Sequence, residues 1–67
     1  MVYDDLTFGR KVTMSRQQSK YTIHEFAQMM NMKLRDLEKI EGDLLMPEKK
    51  TITKMNRFLI NKLPYSK

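Results

Sequence analysis

The sequence has no cysteine, so it can form neither a disulfide nor a thiolate metal site, and packing must hold it together. Only two glycines and two prolines accompany a hydrophobic content of 40%, which excludes a disordered tail or linker. No apolar run approaches the roughly 18 residues that a membrane span needs. Asp4 and Asp5 stand where a secretion signal would place lysine or arginine ahead of an apolar stretch. The chain is therefore expected to be soluble and to stay in the compartment where it is made. His24 is the only histidine, and no nucleophile has a base at a catalytic spacing. The expectation is a protein with no metal, no cofactor and no membrane partner, which is not an enzyme and acts by binding.

A length of 67 residues allows one domain, spanning 1–67. A chain this short buries only about 60% of the surface that its unfolded form exposes, so the core must be small. The net charge of +5 points towards a polyanion, with nucleic acid first, although a charge of this size also keeps a small domain soluble. Its distribution is uneven. Arg10, Lys11, Arg16 and Lys20 have no acid among them, and helical spacing spreads them around a solvated face. Lys33, Arg35 and Lys39 are interleaved with Asp36, Glu38, Glu41 and Asp43.

Four helical segments follow from the periodicity. The first covers about 7–19, with Phe8, Val12 and Ser15 (or Met14) inward. The second opens at Thr22, whose hydroxyl and Glu25 three residues on form a capping box. Phe26, Met29 and Met30 make its buried stripe, Ala27 permits a close helix contact, and Asn31 tolerates the left-handed turn that stops it. The third covers about 33–42, with Leu34, Leu37 and Ile40 inward and Gly42-Asp43 as a turn. Leu44, Leu45 and Met46 form a short apolar link. The fourth starts near Pro47, carries Ile52, Met55, Leu59 and Leu63 on one face, and ends at Pro64. The segment 22–42 has the pattern of a helix-turn-helix, and equally that of any helical bundle with a tight turn.

Residues 8–59 resemble the lambda-repressor-like (Cro/repressor) helix-turn-helix family. The resemblance rests on Phe8-Gly9, Arg16, Thr22, Glu25-Phe26-Ala27, Met32, Leu37, Ile40-Glu41 and Pro47. Within that family the pattern is most similar to the helix-turn-helix domain of multiprotein bridging factors, through Arg16-Gln17, Asn31-x-Lys33, Met46-Pro47, Lys54-Met55-x-Arg57 and Lys62-Leu63. The resemblance implies an all-α, compact four- to five-helix domain. It further implies a DNA-binding transcriptional regulator that lays its third helix in the major groove. Lys33, Leu34, Arg35, Glu38 and Lys39 would then lie nearest the bases, and Thr22, Ile23, Lys49 and Lys50 nearest the phosphates.

Several positions depart from the family pattern. Ile23 replaces the usual glutamine, Lys33-Leu34-Arg35-Asp36 stand at the start of the third helix where polar residues are usual, and the glycine after the third helix is displaced to Gly42. Leucine can touch a thymine methyl but donates no hydrogen bond, and Asp36 repels phosphate. The alternative function is a protein–protein bridging module, with Leu34, Ile23 and the apolar excess of the fourth helix as its contact surface. Arg35 and Lys39, one turn apart, reach guanine edges or phosphates on the first reading, and pair with Asp36, Glu38 or Asp43 on a solvated face otherwise. The seven methionines read as core filler or an adaptable partner surface. Phe58, Ile60 and Tyr65 form a homodimer or partner seam, or cover the end of the core. Double-stranded DNA is the expected partner, with a homodimer and a protein of the transcription machinery as further ones. The corresponding location is cytoplasmic (nucleoid) in a bacterium or phage, and nuclear or cytoplasmic in a eukaryote or virus.

Overall fold

Threonines start the first two helices. The computed structural model describes residues 6–65. The Asp4-Asp5 reading, and the outermost ends of the 1–67 domain, lie outside the described residues. Thr7 caps α1 (Phe8–Gln18), its hydroxyl oxygen accepting the Arg10 N–H at 3.2 Å. Thr22 and Glu25 cap α2 (Ile23–Met30) reciprocally. The Thr22 hydroxyl accepts the Glu25 N–H at 3.1 Å, and the Glu25 carboxylate accepts the Thr22 N–H at 2.9 Å. A cap of this kind contributes about 1 kcal/mol. α3 (Leu34–Glu41) and α4 (Lys49–Phe58) begin at Lys33 and Glu48, and neither has a side-chain cap. Among the described residues the chain is all-helical, with these four helices and no strand.

Three helices end alike. Lys20, Asn31 and Asp43 adopt left-handed φ values of 70°, 57° and 64°. Beyond each, the next N–H returns to a carbonyl five residues back: Tyr21 to Arg16, Met32 to Ala27, and Leu44 to Lys39. These bonds satisfy carbonyls that a helix end leaves without partners. Asn31 takes the conformation its sequence suggests. At the end of α3 the expected Gly42-Asp43 turn is present, with Gly42 at φ −90° and Asp43 in the left-handed conformation. The physical reason is a long-range bond. The Asp43 carboxylate accepts the Gly9 N–H at 2.8 Å, which ties the end of α3 to the start of α1. Bonds from Thr7 and Gly9 hold the Asp43 carboxyl below its ordinary value of 3.8.

The core comprises Val12, Phe26, Ala27, Met30, Leu37, Ile40, Ile52, Met55, Leu59 and Leu63. Full burial of a side chain the size of Phe26 or Leu37 contributes about 1.5–3 kcal/mol. Phe8, Ile23, Leu34 and Phe58 are half-buried against this cluster. The helical stripe expected through Leu63 is corrected: α4 ends at Phe58 and Leu59 is extended. Leu63 reaches the core because the chain folds back over 59–63. The Asn56 side chain grips it there, accepting the Leu63 N–H at 2.7 Å and donating to the Leu63 carbonyl at 3.2 Å. Side-chain amides compete in this way with helix continuation. Pro47 also lies outside α4, ahead of its N-cap.

Two contacts set α3 against α1. A Cβ on Gly9 would come within 2.6 Å of the Ile40 carbonyl oxygen and closer still to that of Glu41, so only glycine permits this approach. Beside it lies a buried ion pair. Arg16, only 8% exposed, donates to the Glu41 carboxylate from Nε at 2.8 Å and from Nη2 at 3.2 Å. Its Nη1 donates to the Tyr21 carbonyl at 2.8 Å, and Thr13 donates to Glu41 at 2.8 Å. Arg16 therefore leaves the solvated face that its neighbours occupy: Arg10 and Lys20 are exposed, and Lys11 is half-buried.

Candidate nucleic-acid interface

α2 and α3 are separated by three residues, 31–33, and packed against each other. The left-handed Asn31 turns the chain, and Leu37 and Ile40 on the inner side of α3 are buried. That burial fixes the opposite side outward. Lys33, Arg35, Glu38 and Lys39 are exposed, while Leu34 and Asp36 are half-buried. Among the described residues, Arg35 and Lys39 enter no ion pair, and Asp43 is occupied by Gly9. Leu34 packs on the core and offers only part of its surface.

The start of α4 lies beside the start of α3. Met32 and Asp36 line one groove with Glu48 and Thr51, and Asn31 and Met32 line another with Lys50 and Lys54. Lys49 and Lys50 are exposed in the first turn of α4, which holds no acid. Lys50 approaches Glu48 at 3.8 Å with both side chains largely in solvent, where such a pair binds weakly and leaves the lysine available. Lys54 is committed, donating to the Met30 carbonyl at 3.0 Å at the end of α2. Five cations, Lys33, Arg35, Lys39, Lys49 and Lys50, thus accompany three carboxylates, Asp36, Glu38 and Glu48.

The start of α2 is more occupied. Thr22 uses both its hydroxyl and its N–H in the capping box, and Ile23 is half-buried. The Glu25 carboxylate folded over this terminus competes with any incoming phosphate. The seam read at Phe58, Ile60 and Tyr65 divides. Phe58 joins the edge of the core, Ile60 is 69% exposed, and the Tyr65 hydroxyl lies 3.0 Å from the Thr53 hydroxyl.

Two features escaped the sequence reading. Arg16 is a core-facing residue, and its signal was present, since 8, 12 and 16 share one helical face. The link at Leu44, Leu45 and Met46 is solvent-exposed. His24 is exposed, and among the described residues no cluster of histidines and carboxylates could hold a metal ion. No described helix is long and apolar enough to cross a membrane. Comparison with protein-family models, with curated proteins and with solved structures finds no match for this chain.

Proposed function

We propose that the chain is a DNA-binding transcriptional regulator of the lambda-repressor-like class, in which α2, the 31–33 turn and α3 form a helix-turn-helix. The observation that carries this reading is the outer side of α3, where Lys33, Arg35 and Lys39 stand in solvent beside the lysine-bearing start of α4. With α3 in the major groove, Arg35 offers a planar donor pair to guanine O6 and N7. Lys33 and Lys39 reach neighbouring acceptors, Glu38 accepts from cytosine N4, and the exposed part of Leu34 meets a thymine methyl. Lys49, Lys50 and the free N–H groups of the first turn of α4 meet phosphates, which position the protein without reading sequence. At α2 the Thr22 N–H is taken, so phosphate contact there falls to the Ile23 amide. Two copies would place two such helices about one DNA turn apart. The function requires binding alone, with no covalent step.

The bridging alternative draws less support. Of the contact surface it requires, Ile23, Leu34 and Phe58 are half-buried against the protein's own core, and only Ile60, just beyond α4, stands fully in solvent.

An amide chemical-shift titration of the labelled protein with a mixed-sequence duplex tests the proposal. Shifts are expected at residues 22–24, 33–39 and 47–50, and they should fade as salt rises, because each neutralised phosphate releases a counterion. Silence at those positions, or weak shifts scattered over Arg10, Lys11 and Lys20, would overturn it.

A further inference from the structure

Charge is divided unevenly along the chain. Every carboxylate among the described residues lies between Glu25 and Glu48, and the stretches 6–24 and 49–65 carry cations alone. Arg16 is neutralised by Glu41, Lys54 is held by the Met30 carbonyl, and Lys49 and Lys50 belong to the start of α4. Arg10, Lys11, Lys20, Arg57 and Lys62 remain, and among the described residues none of them enters an ion pair. The two acid-free stretches are joined side by side. The Ser15 hydroxyl donates to the Asn61 carbonyl at 2.5 Å, the Ile60 N–H donates to the Ser19 hydroxyl at 3.0 Å, and the Asn61 amide donates to the Gln18 side chain. Between them lies a cleft of about 130 Å³. Leu6, Met14, Leu63 and Pro64 give it apolar walls, Lys11 and Lys62 stand beside them, and no carboxylate lines it.

We propose that this cleft docks an acidic segment of a partner protein, one apolar side chain entering between Leu6, Met14, Leu63 and Pro64 while neighbouring carboxylates meet Lys11 and Lys62. The volume suits a single side chain. A cavity of this order holds one benzene-sized group, well short of the roughly 300 Å³ of the smallest cofactor-sized sites. The apolar walls decide against nucleic acid, since a phosphate backbone has nothing to place between them. Lys11 is half-buried, so a carboxylate reaching it meets it partly out of water, where attraction is stronger than at an open surface. Lys62 spends two of its three N–H donors on the Asn56 and Leu59 carbonyls, which fixes its position and leaves one donor and its charge. Lys20 and Arg57, exposed on the same two stretches, speed the approach of a negative partner rather than hold it. The cleft shares no residue with the nucleic-acid interface, so the inference stands whether or not the chain binds DNA.

An amide chemical-shift titration of the full chain tests it, with a capped pentapeptide that has a central leucine between two pairs of aspartates. Shifts should gather at residues 6, 11, 14, 18 and 61–64 and saturate with a dissociation constant below about 1 mM. Exchanging the peptide's leucine for alanine should weaken binding roughly tenfold, and exchanging its aspartates for asparagines should weaken it at least as much. On the protein, Lys11→Glu and Met14→Gln should each weaken binding by roughly tenfold while the helical circular dichroism is unchanged. The absence of saturable shifts at these residues overturns the proposal. So does equal binding of the alanine peptide, which leaves only diffuse charge attraction. A mixed-sequence duplex that moves the same residues more than the peptide does would make the patch a second nucleic-acid face, and overturns it. Binding that emerges only when Asp4→Asn and Asp5→Asn are introduced makes the chain's own acidic pair the occupant, and overturns it too.

Discussion

The inner side of α3 carries Leu37, Ile40 and Glu41 against the core and α1, whereas its outer side carries Lys33, Arg35, Glu38 and Lys39 in solvent. Both sides carry charge, yet the charges are managed in opposite ways. Glu41 is matched by three donors, two nitrogens of Arg16 and the Thr13 hydroxyl, in a site from which water is largely removed. The outer cations are matched by nothing among the described residues of the chain. Charge removed from water must be paired or it destabilises, while charge left in water costs nothing to keep and is available to a partner. One helix can therefore be locked on one side and open on the other, and each substitution below separates these two roles.

The largest effect is expected from Arg16→Ala, which leaves Glu41 buried without its counter-ion. Such a loss costs about 3–5 kcal/mol, and for a domain of this size it should show as a collapse of the urea midpoint. Replacing Arg16 and Glu41 together by apolar residues of similar size should recover most of the stability, because the desolvation penalty disappears with the charges. If the single variant were as stable as the parent, the pair would not be the lock described. Gly9→Ala comes next. Its methyl meets backbone, which cannot rotate away, so α1 and α3 must separate at a cost of about 1–3 kcal/mol. An unchanged thermal midpoint in that variant would mean the two helices are less closely seated.

Much of this inner side was legible from local pattern. The Thr22–Glu25 capping box, the left-handed Asn31 and the stripe of Val12, Phe26, Met30, Leu37, Ile40, Ile52 and Met55 all obey rules that act within a turn or two. What escaped depends on partners far along the chain. Arg16 looks like a surface cation until Glu41, 25 positions later, is placed opposite it. Within the Gly42-Asp43 turn it is Asp43 that becomes left-handed, held by a bond from Gly9, 34 positions away. The end of α4 is set by Asn56 reaching forward to Leu63, which no helical periodicity encodes. On the outer side, which residues are exposed could be read from the positions that are buried. Their role could not, since solvent-facing lysine and arginine look the same with or without a partner.

A smaller effect is expected where the lock meets acid. Thr7 and Gly9 bond to the ionised Asp43 and depress its folded-state pKa below 3.8. The unfolded chain therefore takes up the proton first as pH falls. The stabilisation is complete above that ordinary value and is lost as pH drops through it towards the folded pKa. Asp43→Asn keeps a side chain that tolerates the left-handed turn and removes the titration. Between about pH 5 and about pH 3, the urea midpoint of the parent should fall further than that of the variant. Parallel curves would assign the acid sensitivity to other carboxylates.

The smallest effect on folding is expected on the outer side, and that smallness is what gives it value. Arg35→Ala removes an exposed, unpaired side chain and inserts a better helix former, so stability should stay within about 0.5 kcal/mol. Lys39→Ala should cost a few tenths more, since Lys39 lies in the last turn and interacts favourably with the helix dipole. If α3 reads DNA, the same Arg35→Ala change should weaken duplex binding by about 1–3 kcal/mol and relax preference at one base pair. A loss that is equal on every sequence would instead make Arg35 a phosphate contact. A measurable loss of folding stability from Arg35→Ala would show that the outer side is engaged within the chain, and the distinction between a locked and an open side of α3 would fail.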